Sequence, residues 1–142
     1  FGRDSIYIKA AERLRAPHTV RTMPYPGFPT DAQAVMMSVA TVAKGTTVFV
    51  ENIFESRYRH VEDLTRLGAN IKVANKVAVV EGVDRLFGAK VVAKELRGAA
   101  ALVVASLKAE GRTEIEGIKY LERGYEDLEV VLSSLGANIR KV

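Results

Sequence analysis

The sequence has no cysteine, no tryptophan and only two histidines, His18 and His60. Without cysteine there are no disulfides and no thiolate metal sites. Two histidines are too few for a plausible zinc site, so no metal is expected. No apolar run reaches the ~18 residues of a membrane span. No dense basic run occurs either: 21 Lys and Arg are scattered among 17 Asp and Glu. The net charge of +4 therefore fits an anionic small ligand better than a nucleic acid. The opening "FGRDSIYIKAAERLR" lacks the plan of a secretory leader. It also lacks an initiator Met and starts in a strand-like pattern, so the chain reads as a piece of a longer protein. At 142 residues it is sized for one domain. Proline is scarce, yet three of the four fall in "PYPGFP", directly before Thr30 and Asp31.

The sequence does contain an internal repeat. "VAKGTTVFVENIFESR" aligns without gaps on "KAEGRTEIEGIKYLER". The offset is 66, from Gly45 to Gly111 and from Arg57 to Arg123. "LGANIKV" at Leu67 recurs as "LGANIRKV" at Leu135, here with an offset of 68. Extended backwards, the alignment sets Asp31 opposite Arg97 and Ala34, Val35 and Met36 opposite Ala100, Ala101 and Leu102. Each copy predicts a helix stopped by Gly45 or Gly111. A strand follows, "TTVFVENIF" or "RTEIEGIKY", then a second helix stopped by Gly68 or Gly136. The first copy adds a hairpin in "NIKVANKVAVVEGV", turning near Ala74 and Asn75. The units are residues 30–88 and 89–142, and residues 1–29, with the strand-like "SIYIKA", close a preceding one.

The first helix of each copy, "AQAVMMSVATVA" or "GAAALVVASLKA", is apolar nearly all round and belongs in an interior. The strands alternate, as in Glu114, Ile115, Glu116, so one sheet face meets water. The expected fold is thus α/β (α+β), with helices buried and sheets outside. Two copies leave the buried helices partly uncovered, which implies a third unit.

Pro29 keeps Phe28 extended, so the first helix starts no earlier than Pro29. Thr30 or Asp31 can cap it. Taken alone, Asp31 reads as a cap. Its counterpart, Arg97, opposes the helix dipole, which suggests retention for a ligand. Arg57, Arg97 and Arg123 could converge where the internal helices begin and hold a carboxylate or phosphate. Equally, they could be surface residues paired with Glu55, Glu95 and Glu122. His60, among Arg59, Glu62 and Asp63, reads as solvated. Met23, Met36 and Met37 read as core filler. Phe54, Tyr58, Tyr120 and Tyr125 read as core rings rather than pocket lining.

With these residues in view, the chain closely resembles the UDP-N-acetylglucosamine 1-carboxyvinyltransferase family of enolpyruvyl transferases. The likeness runs from about Val20 to Val142 and covers the C-terminal third of that family's chain. It is carried by "PYPGFPTDAQ", "VFVENIFESRYRHVEDLTRLGANIKV", "KELRGAAALVVASL" and "YLERGYEDLE…LGANI". The resemblance implies an inside-out α/β barrel in which this chain supplies two repeats of one domain. It implies transfer of the enolpyruvyl group of phosphoenolpyruvate to the 3-hydroxyl of UDP-N-acetylglucosamine, with no metal or organic cofactor. It places that reaction in the bacterial cytoplasm, at the first committed step of peptidoglycan synthesis, with the wall-building and division roles that follow. Asp31 matches the residue that takes the sugar hydroxyl proton. Ile53 matches a backbone contact to the UDP-sugar. Arg57 and Arg97 match holders of the phosphoenolpyruvate carboxylate, and Arg123 matches an arginine that reaches its phosphate. Asp31, Arg97 and Arg123 are the catalytic candidates. Ser56 stands where Asn is usual, and Gly98 where Ala is common. The resemblance also implies a partner in the family's N-terminal portion, so this chain alone is expected to be inactive.

A 3-phosphoshikimate 1-carboxyvinyltransferase would share this fold and chemistry, but "PYPGFPTDAQ" and "LERGYE" favour the UDP-sugar enzyme. A nucleic-acid-binding protein on the repeat fold would need a basic stripe or aromatic platform, and neither is present. A non-catalytic scaffold is the third alternative.

Overall fold

The structure, a computed structural model, describes residues 4–142. The expected strand in "SIYIKA" does not form: Ser5–Ala10 have no regular secondary structure and are exposed. Residues 1–3, which open the segment expected to close a preceding unit, lie outside the described residues. The first strand, β1 (Thr19–Arg21), precedes the Pro-rich turn and helix α1 (Thr30–Ala40). Strand β2 (Thr46–Val50) then returns parallel to β1, with Val20 opposite Phe49. The second copy repeats this with β5 (Lys90–Val92), α3 (Leu96–Ser106) and β6 (Glu114–Glu116), with Val91 opposite Ile115. Since Phe49 and Ile115 are 66 apart, the repeated module is strand, helix, parallel strand. The sequence reading missed β1 and β5 as members of it.

The first copy continues through α2 (Val61–Arg66) into the hairpin of β3 (Asn70–Ala74) and β4 (Val77–Glu81). Asn75 sits in the two-residue turn at a φ of 53°, a left-handed conformation that Asn tolerates. β4 pairs antiparallel with both β3 and β2, giving the sheet order β1-β2-β4-β3. The second copy ends in α4 (Leu128–Ser134), and no hairpin follows it in the described residues. The six strands form one four-stranded and one two-stranded sheet, with no closed barrel among the described residues.

The layering follows the polarity pattern. Ala78 and Val80 of β4 are buried, whereas Val79 and Glu81 between and beside them are exposed. α1 and α3 pack on each other, with Ala34, Met37, Ala101 and Leu102 buried. Ser38 donates its hydroxyl hydrogen to the Ala101 carbonyl at 2.7 Å, which ties the two helices together. Phe49, Leu64, Leu67, Val80, Leu86 and Val91 complete the larger core.

The glycines act in two different ways. Gly68 and Gly136 stop α2 and α4 as expected, at φ values of 95° and 97°. The amides of Ala69 and Ala137 then bond back to Leu64 and Leu132, closing Schellman turns. Gly45 and Gly111 are also left-handed but do not cap, because α1 and α3 end at Ala40 and Ser106. A turn intervenes, and these glycines redirect the chain into β2 and β6. Gly82 is small for a different reason: a Cβ there would lie 1.6 Å from the Ala43 carbonyl oxygen. Gly82→Ala must push the β4 end off the α1 turn, and we expect a loss of about 3 kcal/mol. A lowered urea midpoint at unchanged m-value would register this.

Candidate functional site

The Pro-rich turn is a closed loop. The Met23 amide donates to the Phe28 carbonyl at 3.1 Å, and the Gly27 amide to Pro24 at 2.8 Å. It delivers Pro29 as the helix N-cap in an extended conformation, with no side-chain cap bond. Neither Thr30 nor Asp31 therefore caps α1, contrary to expectation. The Thr30 hydroxyl turns to the Glu51 carboxylate at 3.0 Å. The Asp31 carboxylate turns outward to two arginines.

One Asp31 oxygen accepts from Arg57 Nη2 at 2.6 Å, and the other from Arg97 Nη2 at 2.7 Å. Arg57 leaves the turn after β2 and lies over the Phe54 ring, 4.9 Å from its centre. Its side chain is only 13% exposed, whereas Asp31 is 58% exposed. Arg97 sits in the first turn of α3, where the Glu95 carboxylate caps the helix by accepting from the Arg97 and Gly98 amides. That acid offsets the unfavourable placement of a cation at a helix start. The Arg97 hydrogen bond is the largest influence lowering the Asp31 pKa; burial opposes it, and Arg57 adds to it. Asp31 is thus a carboxylate at neutral pH.

The repeat explains which arginines converge. Asp31 and Arg97 occupy equivalent positions 66 residues apart, and they pair with each other. Arg57 lies 26 residues after Asp31 and bonds to it. Arg123 lies 26 after Arg97, where the equivalent partner is a like charge. Arg123 is exposed and has no ion pair among the described residues, and its neighbour Glu122 is taken by Lys141. The expected pairing of the arginines with the Glu55, Glu95 and Glu122 side chains is absent from the described ion pairs. Asp31, Arg57 and Arg97 come together, whereas Arg123 stays outside this cluster. Its neighbour Gly124 lies against Leu96 at the start of α3, where an added Cβ would come within 2.8 Å of the Leu96 side chain.

Beside Asp31 lies an open groove of about 490 Å³ between the Pro-rich turn and Ile53. Met23 lines it and is half exposed, so it is not core filler, whereas Met37 is fully buried. The Ile53 amide donates to Glu51 at 2.8 Å, and its carbonyl accepts no backbone hydrogen bond among the described residues. Phe54 is exposed beneath Arg57 rather than in the core. Tyr58 donates to the Lys76 carbonyl at 3.1 Å, and burial pushes its pKa up to about 12, with the Glu51 charge adding to the effect. It stays protonated and structural.

His60 is not solvated. It is 3% exposed, and neither ring nitrogen has a partner. Polar neighbours in sequence misled here: His60 begins α2 and faces the start of α3 at Gly98, whose added Cβ would come within 2.9 Å of the His60 Cβ. Burial lowers its pKa to about 4, against the charges of Glu95 and Asp63. The unfolded chain therefore binds the proton more tightly. The stability due to neutral His60 is complete above about pH 6.5 and falls as pH drops towards 4, by about 3 kcal/mol at most. Urea midpoints across this range should fall less steeply for His60→Gln than for the unsubstituted chain.

Two parallel strand–helix–strand modules with buried helices make this a repeat-built α/β protein, the fold found in solved enolpyruvyl transferases. The enolpyruvyl transferase NikO from Streptomyces tendae superposes with a TM-score of 0.83 at 32% identity, over 92% of this chain and 30% of that one. The chain belongs to the EPSP synthase (3-phosphoshikimate 1-carboxyvinyltransferase) family, whose model matches residues 3–132. Similar proteins include UDP-N-acetylglucosamine 1-carboxyvinyltransferase 2 of Caldanaerobacter subterraneus subsp. tengcongensis, 50% identical over 141 residues. This match covers 99% of this chain and 34% of the relative. The enzyme of that name from Desulfofundulus thermocisternus is 52% identical over 136 residues, 96% of this chain and 56% of the relative. The chain thus spans about a third of the first relative's length and just over half of the second's.

Proposed function

We propose that this chain supplies part of an active site that transfers the enolpyruvyl group of phosphoenolpyruvate to the 3-hydroxyl of UDP-N-acetylglucosamine. The observation that carries the reading is Asp31, bracketed by Arg57 and Arg97 from two repeats, beside a groove that reaches Ile53. The hydroxyl oxygen bonds to C2 of phosphoenolpyruvate, its proton passes to Asp31, and C3 takes up a proton. The tetrahedral adduct then expels phosphate by breaking its C2–O bond, and C3 releases a proton. Asp31 is a weak base, so its contribution is to orient the hydroxyl and receive its proton as the bond forms. Arg57 and Arg97 each have further N–H donors for the carboxylate of phosphoenolpyruvate. Arg123, with no acid opposite it, is the cation for the phosphate. The Ile53 carbonyl holds the UDP-sugar.

Residues 30–88 and 89–142 are then two units of one domain, with residues 1–29 closing a preceding one, and the rest of the cleft comes from outside this chain. Peptidoglycan synthesis in the bacterial cytoplasm, and through it cell shape and division, is the setting that fits this substrate. Relatives named for the UDP-sugar at about 50% identity favour it over 3-phosphoshikimate.

The test is a full-length enzyme in which this chain replaces the matched 141 residues of the Caldanaerobacter relative. Phosphate release from phosphoenolpyruvate should require UDP-N-acetylglucosamine and not respond to 3-phosphoshikimate. Release with the latter alone would establish the other acceptor.

A further inference from the structure

Glu51 is 1% exposed, and its carboxylate accepts four hydrogen bonds. One oxygen accepts from the Thr22 hydroxyl at 2.9 Å, the Ile53 amide at 2.8 Å and the Phe54 amide at 3.1 Å. The other accepts from the Thr30 hydroxyl at 3.0 Å. A buried carboxylate is costly unless its lone pairs are satisfied, so this one needs all four donors.

The second copy shows that the fold does without it. The Thr22 amide donates to Val50 in the first copy, and the Ala93 amide to Glu116 in the second, which makes Thr22 and Ala93 equivalent. The offset of 66 sets Glu51 opposite Gly117 and Thr30 opposite Leu96. The polar trio of Thr22, Glu51 and Thr30 is thus replaced by Ala93, Gly117 and Leu96. There Gly117, at a φ of 77°, brings the chain against the Ala93 carbonyl, and Leu96 packs on Gly124. Both corners join a strand to a helix, yet only the one carrying Asp31 has a buried acid at this position of the repeat.

Three of the four bonds of Glu51 lead to different parts of the site. Thr30 is the residue before Asp31. Ile53 lines the groove, and with its amide held inward its carbonyl is the group left for a ligand. Phe54 supplies the ring under Arg57. We propose that Glu51 is a positioning residue, which sets the acid, the backbone acceptor and one arginine of the site in register through Thr30, Ile53 and Phe54.

This rests on the enolpyruvyl transfer reading, and the test separates the two. The full-length exchange enzyme is made with Glu51→Ala, with Thr30→Val, and with the conservative Thr30→Ser and Glu51→Gln. Glutamine can still accept at one oxygen and donate to the Thr30 hydroxyl from its nitrogen. Turnover is scored per folded molecule, and amide exchange at Ile53 and Phe54 is measured alongside. Glu51→Ala and Thr30→Val should lower kcat by about 100-fold and 10-fold, since small displacements of reacting groups are expensive. The conservative variants should recover most of this. Exchange at both amides should speed up in Glu51→Ala alone. Unchanged kcat in folded Thr30→Val, or losses in step with the unfolded fraction only, would overturn the proposal. If the unsubstituted enzyme transfers nothing, the reaction is wrong, and the exchange data alone judge Glu51: faster exchange upholds the positioning, and unchanged exchange overturns it.

Discussion

Asp31→Asn should lower kcat of the full-length exchange enzyme by about 10²- to 10⁴-fold, the range for removing a positioned proton acceptor. The side chain keeps its size, and Asp31 is 58% exposed, so the fold should survive. The chemistry does not. An amide cannot take the hydroxyl proton, and it can offer an oxygen to Arg57 or to Arg97 but not to both. Its NH2 group would confront the second guanidinium. The loss should therefore fall on kcat, with a smaller rise in the KM for UDP-N-acetylglucosamine. Steady-state rates with both substrates varied, beside a circular-dichroism spectrum, make the comparison. Near-normal kcat in a folded Asn variant would remove Asp31 from the chemistry.

Arg97→Ala should cost about 10²- to 10³-fold in kcat/KM for phosphoenolpyruvate, as expected when one preorganised charge donor is lost. Arg97 is the largest influence holding the Asp31 pKa down, so its removal lets that pKa rise towards the ordinary carboxylate value. Asp31 remains ionised at neutral pH and paired to Arg57 at 2.6 Å. The defect is thus one of anion binding rather than of the base, and the KM for the UDP-sugar should move far less. Arg57→Ala should be harsher on stability, because Arg57 is only 13% exposed and covers the Phe54 ring. Equal effects of Arg97→Ala on the two substrates would contradict this division of labour.

The repeat pointed to the cluster of Asp31, Arg57 and Arg97. It set Asp31 opposite Arg97 and Arg57 opposite Arg123, and the first pair turns out to be in contact. Both helix stops at Gly68 and Gly136, and the hairpin turn, follow from local backbone chemistry that sequence expresses directly. What sequence did not express is which way a polar side chain faces. Alternation carried the β2 reading on to Phe54, but the strand ends at Val50 because Glu51 turns inward and captures the next amides. His60 and Asp63 sit among charges in sequence, yet both are buried; Asp63 accepts from the Val92 amide at 3.1 Å and so fixes α2 to β5. β5 itself is three residues long, too short for any periodicity to register. Lack of a partner is likewise invisible in sequence: Arg123 resembles Arg57 there, and only the opposing Arg97 deprives it of one. Glu51 opposite Gly117 was the one hint in the sequence, since aligned copies that differ so sharply at one position cannot share its role.

The most direct measurement is a crystal structure of the exchange enzyme with UDP-N-acetylglucosamine and an unreactive phosphoenolpyruvate analogue. The analogue's carboxylate should lie on Arg57 and Arg97, with the sugar 3-hydroxyl within about 3 Å of an Asp31 oxygen and the Ile53 carbonyl on the UDP-sugar. Ligands bound elsewhere, with Asp31 still closed on both arginines, would contradict the account.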